Sequence, residues 1–290
     1  VKARFLDPMP PDTVRTERVE AAGVAGERTL RYIPARVQDN PHLAPGYALE
    51  LAAKPPALRD ALLYGRWDAF EGQVFTEWRD DPAAYGTGRF THVVAPFPIP
   101  ESWRRFRSFD FGYSRPFSVG WWALDPHGTL VRYREWYGCT GVPNAGLRLT
   151  PTAIARGIAE AERAHERGLL VTGYADPSIW DGSRGESIAD QMQREGVYFL
   201  PAENARLAGL MQVHRRLEFD AEGRSGVQVF STCRDSIRTL PALSYDTQRC
   251  EDVDTQGEDH IYDEWRYLFM AHPLPEAPKP APRRRYSPLD

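Results

Sequence analysis

The residues best placed to do chemistry lie in 257–270 (Gly-Glu-Asp-His-Ile-Tyr-Asp-Glu-Trp-Arg-Tyr-Leu-Phe-Met), which sets Asp259, His260 and Asp263 on one short helical segment. At about 100° per residue, Ile261, Trp265, Leu268 and Phe269 share one side of such a helix, and Asp259 and Asp263 share another. Two acids four residues apart repel unless a positive charge stands between them. A metal cation would serve, and so would Arg266, so a solvated acidic face with an internal ion pair accounts for this segment taken alone.

Two further carboxylates shift that balance. Asp110 falls inside the expected strand 105–113, where aspartate is disfavoured and an unpaired buried carboxylate is costly. A strand-edge aspartate paired with Arg107 or Arg115 is the alternative. Gly112 leaves room for another backbone or a ligand to approach. Asp176 closes the apolar run 169–175 and is followed by Pro177, which stops a ladder. It could equally be a turn aspartate bonding its own backbone, but the carboxyl end of a strand is also where open α/β sheets bind ligands. Together, three acids on three elements suit a hard divalent cation such as Mg²⁺ or Mn²⁺, which takes oxygen ligands. Two such ions ~3.5–4 Å apart would clamp the attacking and leaving oxygens of a phosphodiester.

The elements that would position these groups alternate in type. Strands are expected at 105–113, 117–124 and 129–137, the last two joined by the turn Asp125-Pro-His-Gly. Thr150-Pro151 predicts a helix start, with Thr as cap and Pro at the first helical position. A buried strand at 169–175, a helix at 186–194, a strand at 197–200 and an amphipathic helix at 204–219 follow. This is an α/β layer fold on a mixed sheet. Upstream, 29–34 reads as extended and 46–64 as helical, interrupted at Pro55-Pro56. Residues 76–102 read as a proline-rich linker, and 272–290, with six prolines around Arg283, Arg284 and Arg285, as a disordered tail.

Composition narrows the function classes. The 290 residues carry a net charge of −4, so the chain is not a uniformly basic nucleic-acid coat. Lysine occurs only at 2, 54 and 279, leaving arginine to make any phosphate contacts. Arg105 and Arg107 in Trp-Arg-Arg-Phe-Arg (103–107), and Arg206 and Arg215 on the helix at 204–219, are the candidate DNA contacts, each weighed against a solvated face or a snorkelling stem. Trp121 and Trp122, adjacent on a strand, should point to opposite faces and pack rather than stack on bases. Cys139, Cys233 and Cys250 form no C-x-x-C pair, which excludes a zinc knuckle and suits a reducing compartment. No apolar run reaches ~18 residues and no signal peptide is evident, so the chain is expected to be soluble and not secreted, with no membrane partner.

Several segments resemble the C-terminal part of the large subunit of tailed-phage terminases. They are 33–43 (Ile-Pro-Ala-Arg-Val-Gln-Asp-Asn-Pro-His-Leu), 63–67 (Leu-Tyr-Gly-Arg-Trp), 71–75 (Glu-Gly-Gln-Val-Phe), 108–113 (Ser-Phe-Asp-Phe-Gly-Tyr), 174–177 (Tyr-Ala-Asp-Pro) and 251–267. The resemblance runs from about Tyr32 to Phe269. It implies a ribonuclease H-like nuclease domain at 103–271, in which Asp110, Asp176 and Asp263 bind metal and Asp259 and His260 flank the third acid. It further implies cleavage of concatemeric double-stranded DNA, with a portal protein and a small terminase subunit as partners and a bacterial host. No G-x-x-x-x-G-K-[ST] occurs, so 1–75 is expected to be only the edge of a motor domain, and the chain a piece of something longer that does not itself hydrolyse ATP. A transposase, resolvase or other ribonuclease H relative, and an inactive prophage remnant that only grips DNA or docks on a portal, are the competing readings.

Overall fold

The computed structural model describes residues 12–21, 24–31, 33, 42, 47, 72–183, 185–246, 248, 249 and 251–274. Apart from single positions, the expected helix at 46–64, the segments 33–43 and 63–67, and the tail beyond Leu274 lie outside these residues. Strands β1 (Val14–Ala21) and β2 (Val24–Arg31) pair with each other as an antiparallel hairpin.

The remaining strands form one sheet of seven: β3 (Val93–Val94), β4 (Arg104–Asp110), β5 (Ser118–Leu124), β6 (Leu130–Tyr137), β7 (Val171–Ala175), β8 (Leu200–Pro201) and β9 (Val227–Phe230). Their spatial order is β3-β9-β6-β5-β4-β7-β8. Within this sheet β5 runs against its neighbours β4 and β6, while the other pairs are parallel. The hairpins β4–β5 and β5–β6 arise from short turns. Asp125 Oδ1 accepts from the amides of His127 (2.8 Å) and Thr129 (2.7 Å), and Gly128 takes φ +89° to close the second turn. With helices on both faces, this mixed sheet is the expected α/β layer arrangement.

Among the described residues, five helices cover the sheet: α1 (Pro151–His165), α2 (Ile188–Arg194), α3 (Arg206–Leu217), α4 (Arg234–Thr239) and α5 (His260–Ala271). Thr150 caps α1 by accepting from Ala153 N (3.2 Å), with Pro151 in the first turn, as its sequence predicts. Strand alternation divides the core. Phe109, Val119 and Trp121 face Ile154, Ala155 and Ile158 of α1 and Met192 of α2. Phe106 and Trp122 face Leu210, Val213 and Leu217 of α3 and Ile261, Trp265 and Phe269 of α5. Trp121 and Trp122 thus serve opposite cores, as expected.

Three expectations are corrected. Residues 76–102 are not a bare linker: Trp78, Val93 and Val94 are in the core, and β3 pairs in parallel with β9 just before the prolines begin. The strand expected over 105–113 ends at Asp110, because Gly112 passes so close to Arg115 and Pro116 that a Cβ would sit 2.2 Å from Pro116 O. Finally, α5 is not amphipathic in the simple sense, since Tyr262, Glu264, Arg266 and Tyr267 are buried along with its apolar stripe.

Candidate metal centre

Sheet register brings the first two acids together. Phe109 on β4 is the partner of Ala175 on the parallel strand β7. Asp110 and Asp176, each the next residue, therefore stand side by side at the carboxyl edge of the sheet, about 4.8 Å apart in backbone spacing. Asp176 also caps a single 3₁₀ turn, Pro177–Trp180, with Oδ1 accepting from Ser178 N (2.7 Å). The turn role and the strand-end role are both real, and they leave its other oxygen for Asn204 Nδ2 (3.4 Å).

Helix α5 supplies the rest, because it packs on β4, β5 and β7 with its N-terminus at the same edge. His260 Nδ1 lies 3.1 Å from Asp110 Oδ2, and His260 Nε2 lies 3.2 Å from Asn144 Oδ1. Asn144 donates its amide hydrogens to the carbonyls of Gln256 and Gly257 (2.9 Å each), which leaves its oxygen to accept from Nε2–H. His260 is therefore held between the Asp110 carboxylate and an amide oxygen, an arrangement that favours its protonated form. Burial alone would lower its pKa, but the Asp110 hydrogen bond and the charges of Asp110, Asp259 and Asp263 raise it.

Asp263, in the first turn of α5, accepts from Arg266 Nη2 (2.8 Å) and Nε (3.2 Å), and Arg206 Nη1 approaches to 3.8 Å. Arg266 in turn donates to Asn204 O (2.6 Å). Its stem crosses α3 at Gly209, where a Cβ would lie 2.1 Å from Arg266 Cγ. Asp259 occupies the N-cap position but makes no capping hydrogen bond, contrary to what its place before the helix suggests. Only 4% of Asp259 is exposed. Burial, followed by the charges of Asp263 and Asp110, pushes its carboxyl above the usual range. Asp110 is raised as well, first by burial and further by Asp263 and Asp176, against the pull of His260. Asp176 moves the other way: burial would raise it, but hydrogen bonds from Ser178, Tyr267 and Asn204 outweigh burial.

The sequence-predicted acids thus sense one another across three elements, and like charge has been gathered where water is scarce. Among the described residues no group of three or more His, Cys, Asp or Glu side chains is already set at metal-holding geometry. Arg266 and His260 occupy the positions beside Asp263 and Asp110 from which a cation would neutralise them. The chemistry of the donor set nevertheless fits a hard divalent ion. It consists of aspartate oxygens at low exposure, with Asp110 and Asp259 raised in pKa and Asp176 lowered.

The arginine expectations divide. Arg105 is buried against Glu166 (3.0 Å) and the carbonyl of Ile99 (3.2 Å). Arg107 is buried against Glu162 and the carbonyl of Tyr198 (2.7 Å), with its guanidinium 4.5 Å from the Phe199 ring centre. Both guanidiniums are engaged by internal partners. They tie β4 to α1 and to the segment before β8, the better outcome for a cation whose strand lies in the core. Arg206 opens α3 beside Asp263 and pairs with Asp252 (2.6 Å). Arg215, nine residues on, lies about 14 Å along the helix and lines a separate cavity with His127, Phe219 and Leu274.

Two site residues escaped the sequence reading. Glu264 is fully buried and takes hydrogen bonds from Ser108, Ser118 (2.9 Å), Trp122 (3.2 Å) and Arg132 (2.8 Å). It anchors α5 to three strands directly beside Asp263, and an acid on the apolar side of the helix was its signal. Tyr267 places its hydroxyl 3.5 Å from Asp110 Oδ1. Its spacing of four from Asp263 and seven from His260 already put it on their face of the helix.

The chain matches no protein-family model and no curated protein. Among solved structures it is similar to the large terminase of a thermophilic bacteriophage in complex with ATP-gamma-S, at TM-score 0.53 and 18% identity, over 82% of this chain and 55% of that one. The nuclease domain of P22 large terminase is matched at TM-score 0.49 and 16% identity, over 69% of this chain and 92% of that one. The large terminase nuclease of thermophilic phage G20c with bound cobalt gives 0.45 and 11%, over 69% and 97%. This chain spans about half the length of the first of these proteins, and what the two share is the fold, that of a phage large terminase.

Proposed function

We propose that this chain is a divalent-metal-dependent DNA endonuclease of the terminase type, cutting concatemeric double-stranded DNA with little sequence preference. The observation that carries the reading is the convergence of Asp110, Asp176 and Asp263, from the ends of β4 and β7 and the start of α5, at one edge of the sheet. These three would hold Mg²⁺ or Mn²⁺, with Asp259 and His260 at the margin. Two ions bound there would polarise the scissile phosphate and lower the pKa of the attacking water. Asp110 suits the bridging position, because it ends a strand paired on both sides.

The remaining residues prepare the site. His260 balances the charge of Asp110 and is fixed by Asn144. Arg206 sits where it can donate to a phosphate oxygen while keeping Asp252. Double-stranded DNA is the proposed substrate, a portal protein and a small terminase subunit the proposed partners, and the cytoplasm of a bacterial host the proposed location. Among the described residues no helix is long and apolar enough to cross a membrane.

The test is supercoiled plasmid incubated with the purified chain in Mg²⁺ or Mn²⁺, alongside Asp110→Ala. The parent should nick and linearise the plasmid, and the variant should not. Equal rates for the two, or cleavage that persists in excess chelator, would refute the reading.

A further inference from the structure

Buried phenols in this chain are not uniformly partnered. The hydroxyl of Tyr262 is buried with no hydrogen-bond partner, whereas that of Tyr267 has two carboxylates within reach. Tyr267 is 3% exposed, so no bulk water can replace those contacts. Its ring packs under the Arg266 guanidinium at 5.0 Å, and a phenylalanine would fill that space equally well. Packing therefore accounts for the ring but not for the oxygen.

The two acceptors come from different strands. Asp110 ends β4 and Asp176 follows β7, and the register that sets them side by side also sets their charges against each other. The hydroxyl from α5 lies between them and has a single hydrogen to give. It can donate to one carboxylate only, which fixes that acid beside its neighbour while the pair stays short of positive charge. Arg266 and Asn204 complete the link, running from Asp263 through Asn204 O and Asn204 Nδ2 back to Asp176. One helix face thereby aligns all three acids.

We infer that Tyr267 is a positioning residue for the divalent-metal site, its hydroxyl fixing the Asp110 carboxylate beside Asp176 so that one cation can engage both. The inference rests on the nuclease reading of those acids. Groups that orient metal ligands in this way contribute roughly 10–100-fold to metal affinity when removed.

The experiment is Mn²⁺ titration by calorimetry and by electron paramagnetic resonance of the free ion. It compares the parent, Tyr267→Phe and Asp110→Ala, with plasmid cleavage measured across Mn²⁺ concentrations. Tyr267→Phe should weaken Mn²⁺ binding about tenfold and shift the Mn²⁺ dependence of cleavage equally, leaving KM for DNA at saturating Mn²⁺ unchanged. Identical Mn²⁺ titrations for parent and Tyr267→Phe, with binding lost in Asp110→Ala, would overturn the inference and spare the nuclease reading. A parent that binds no Mn²⁺ would overturn both.

Discussion

Asp259 and Asp263 show how much a side chain's surroundings decide. Both carry the same group, one turn apart, yet Asp263 is held by Arg266 and approached by Arg206 while Asp259 is buried without a capping bond. Asp263→Asn is expected to abolish plasmid cleavage in Mn²⁺. Asp259→Asn should retain most cleavage and, in chelator, raise the thermal midpoint, because it removes a like charge from the cluster. An Asp259→Asn variant as inactive as Asp263→Asn would make Asp259 a metal ligand. The acids were legible in the sequence because aspartate beside a buried strand is expensive wherever the strand lies. Glu264 and Tyr267 were not, since each acts on residues more than 90 positions away and only the packing of α5 on the sheet brings the partners together.

Among elements, α3 and α5 meet at Gly209, where Arg266 passes with no room for a methyl group. Gly209→Ala should cost about 1–3 kcal/mol of stability. It should also lower cleavage, by pushing Arg266 off Asp263 and Asn204. Thermal melts read the first effect, and cleavage below the melting range reads the second; full activity with a lowered midpoint would confine Gly209 to packing. Helix α1 and the β5–β6 turn could be read directly, because Thr150-Pro151 and Asp125-Pro-His-Gly specify their own backbones. Strands β3 and β9 could not. β3 has two residues and β9 four, too few to show a period, and β3 exists only because β9 lies beside it. The arginines of β4 misled for a related reason: Arg105 and Arg107 look like a basic surface until α1 and the residue that ends it supply Glu162 and Glu166.

At the scale of the whole molecule, stability should depend on acid through His92. That ring is wholly buried, accepts from Arg79 N (2.9 Å), donates to Leu217 O (2.8 Å) and stacks on Trp78. Burial lowers its pKa to about 4, so between about 6.5 and 4 the unfolded chain takes up a proton that the folded chain refuses. Its contribution is present above about 6.5 and is lost as pH falls towards 4. The raised carboxyls of Asp110 and Asp259 work in the opposite sense, so the effect is read as a difference. In chelator, the parent should lose about 3 kcal/mol more than His92→Gln over that range. Parallel pH curves for the two would show that His92 accepts its proton in place. The position of α5 bears on when the site can exist during synthesis. Asp110 and Asp176 leave the ribosome long before Asp263, and the contacts that dock α5 span 150 residues from His260 to Asp110 and 146 from Glu264 to Ser118. A nascent chain that has already laid down most of its sheet still lacks the third acid and the imidazole, so the proposed centre is incomplete. Because such distant contacts also form late in folding, the proposed cleavage could begin only once the last described helix has been made and seated.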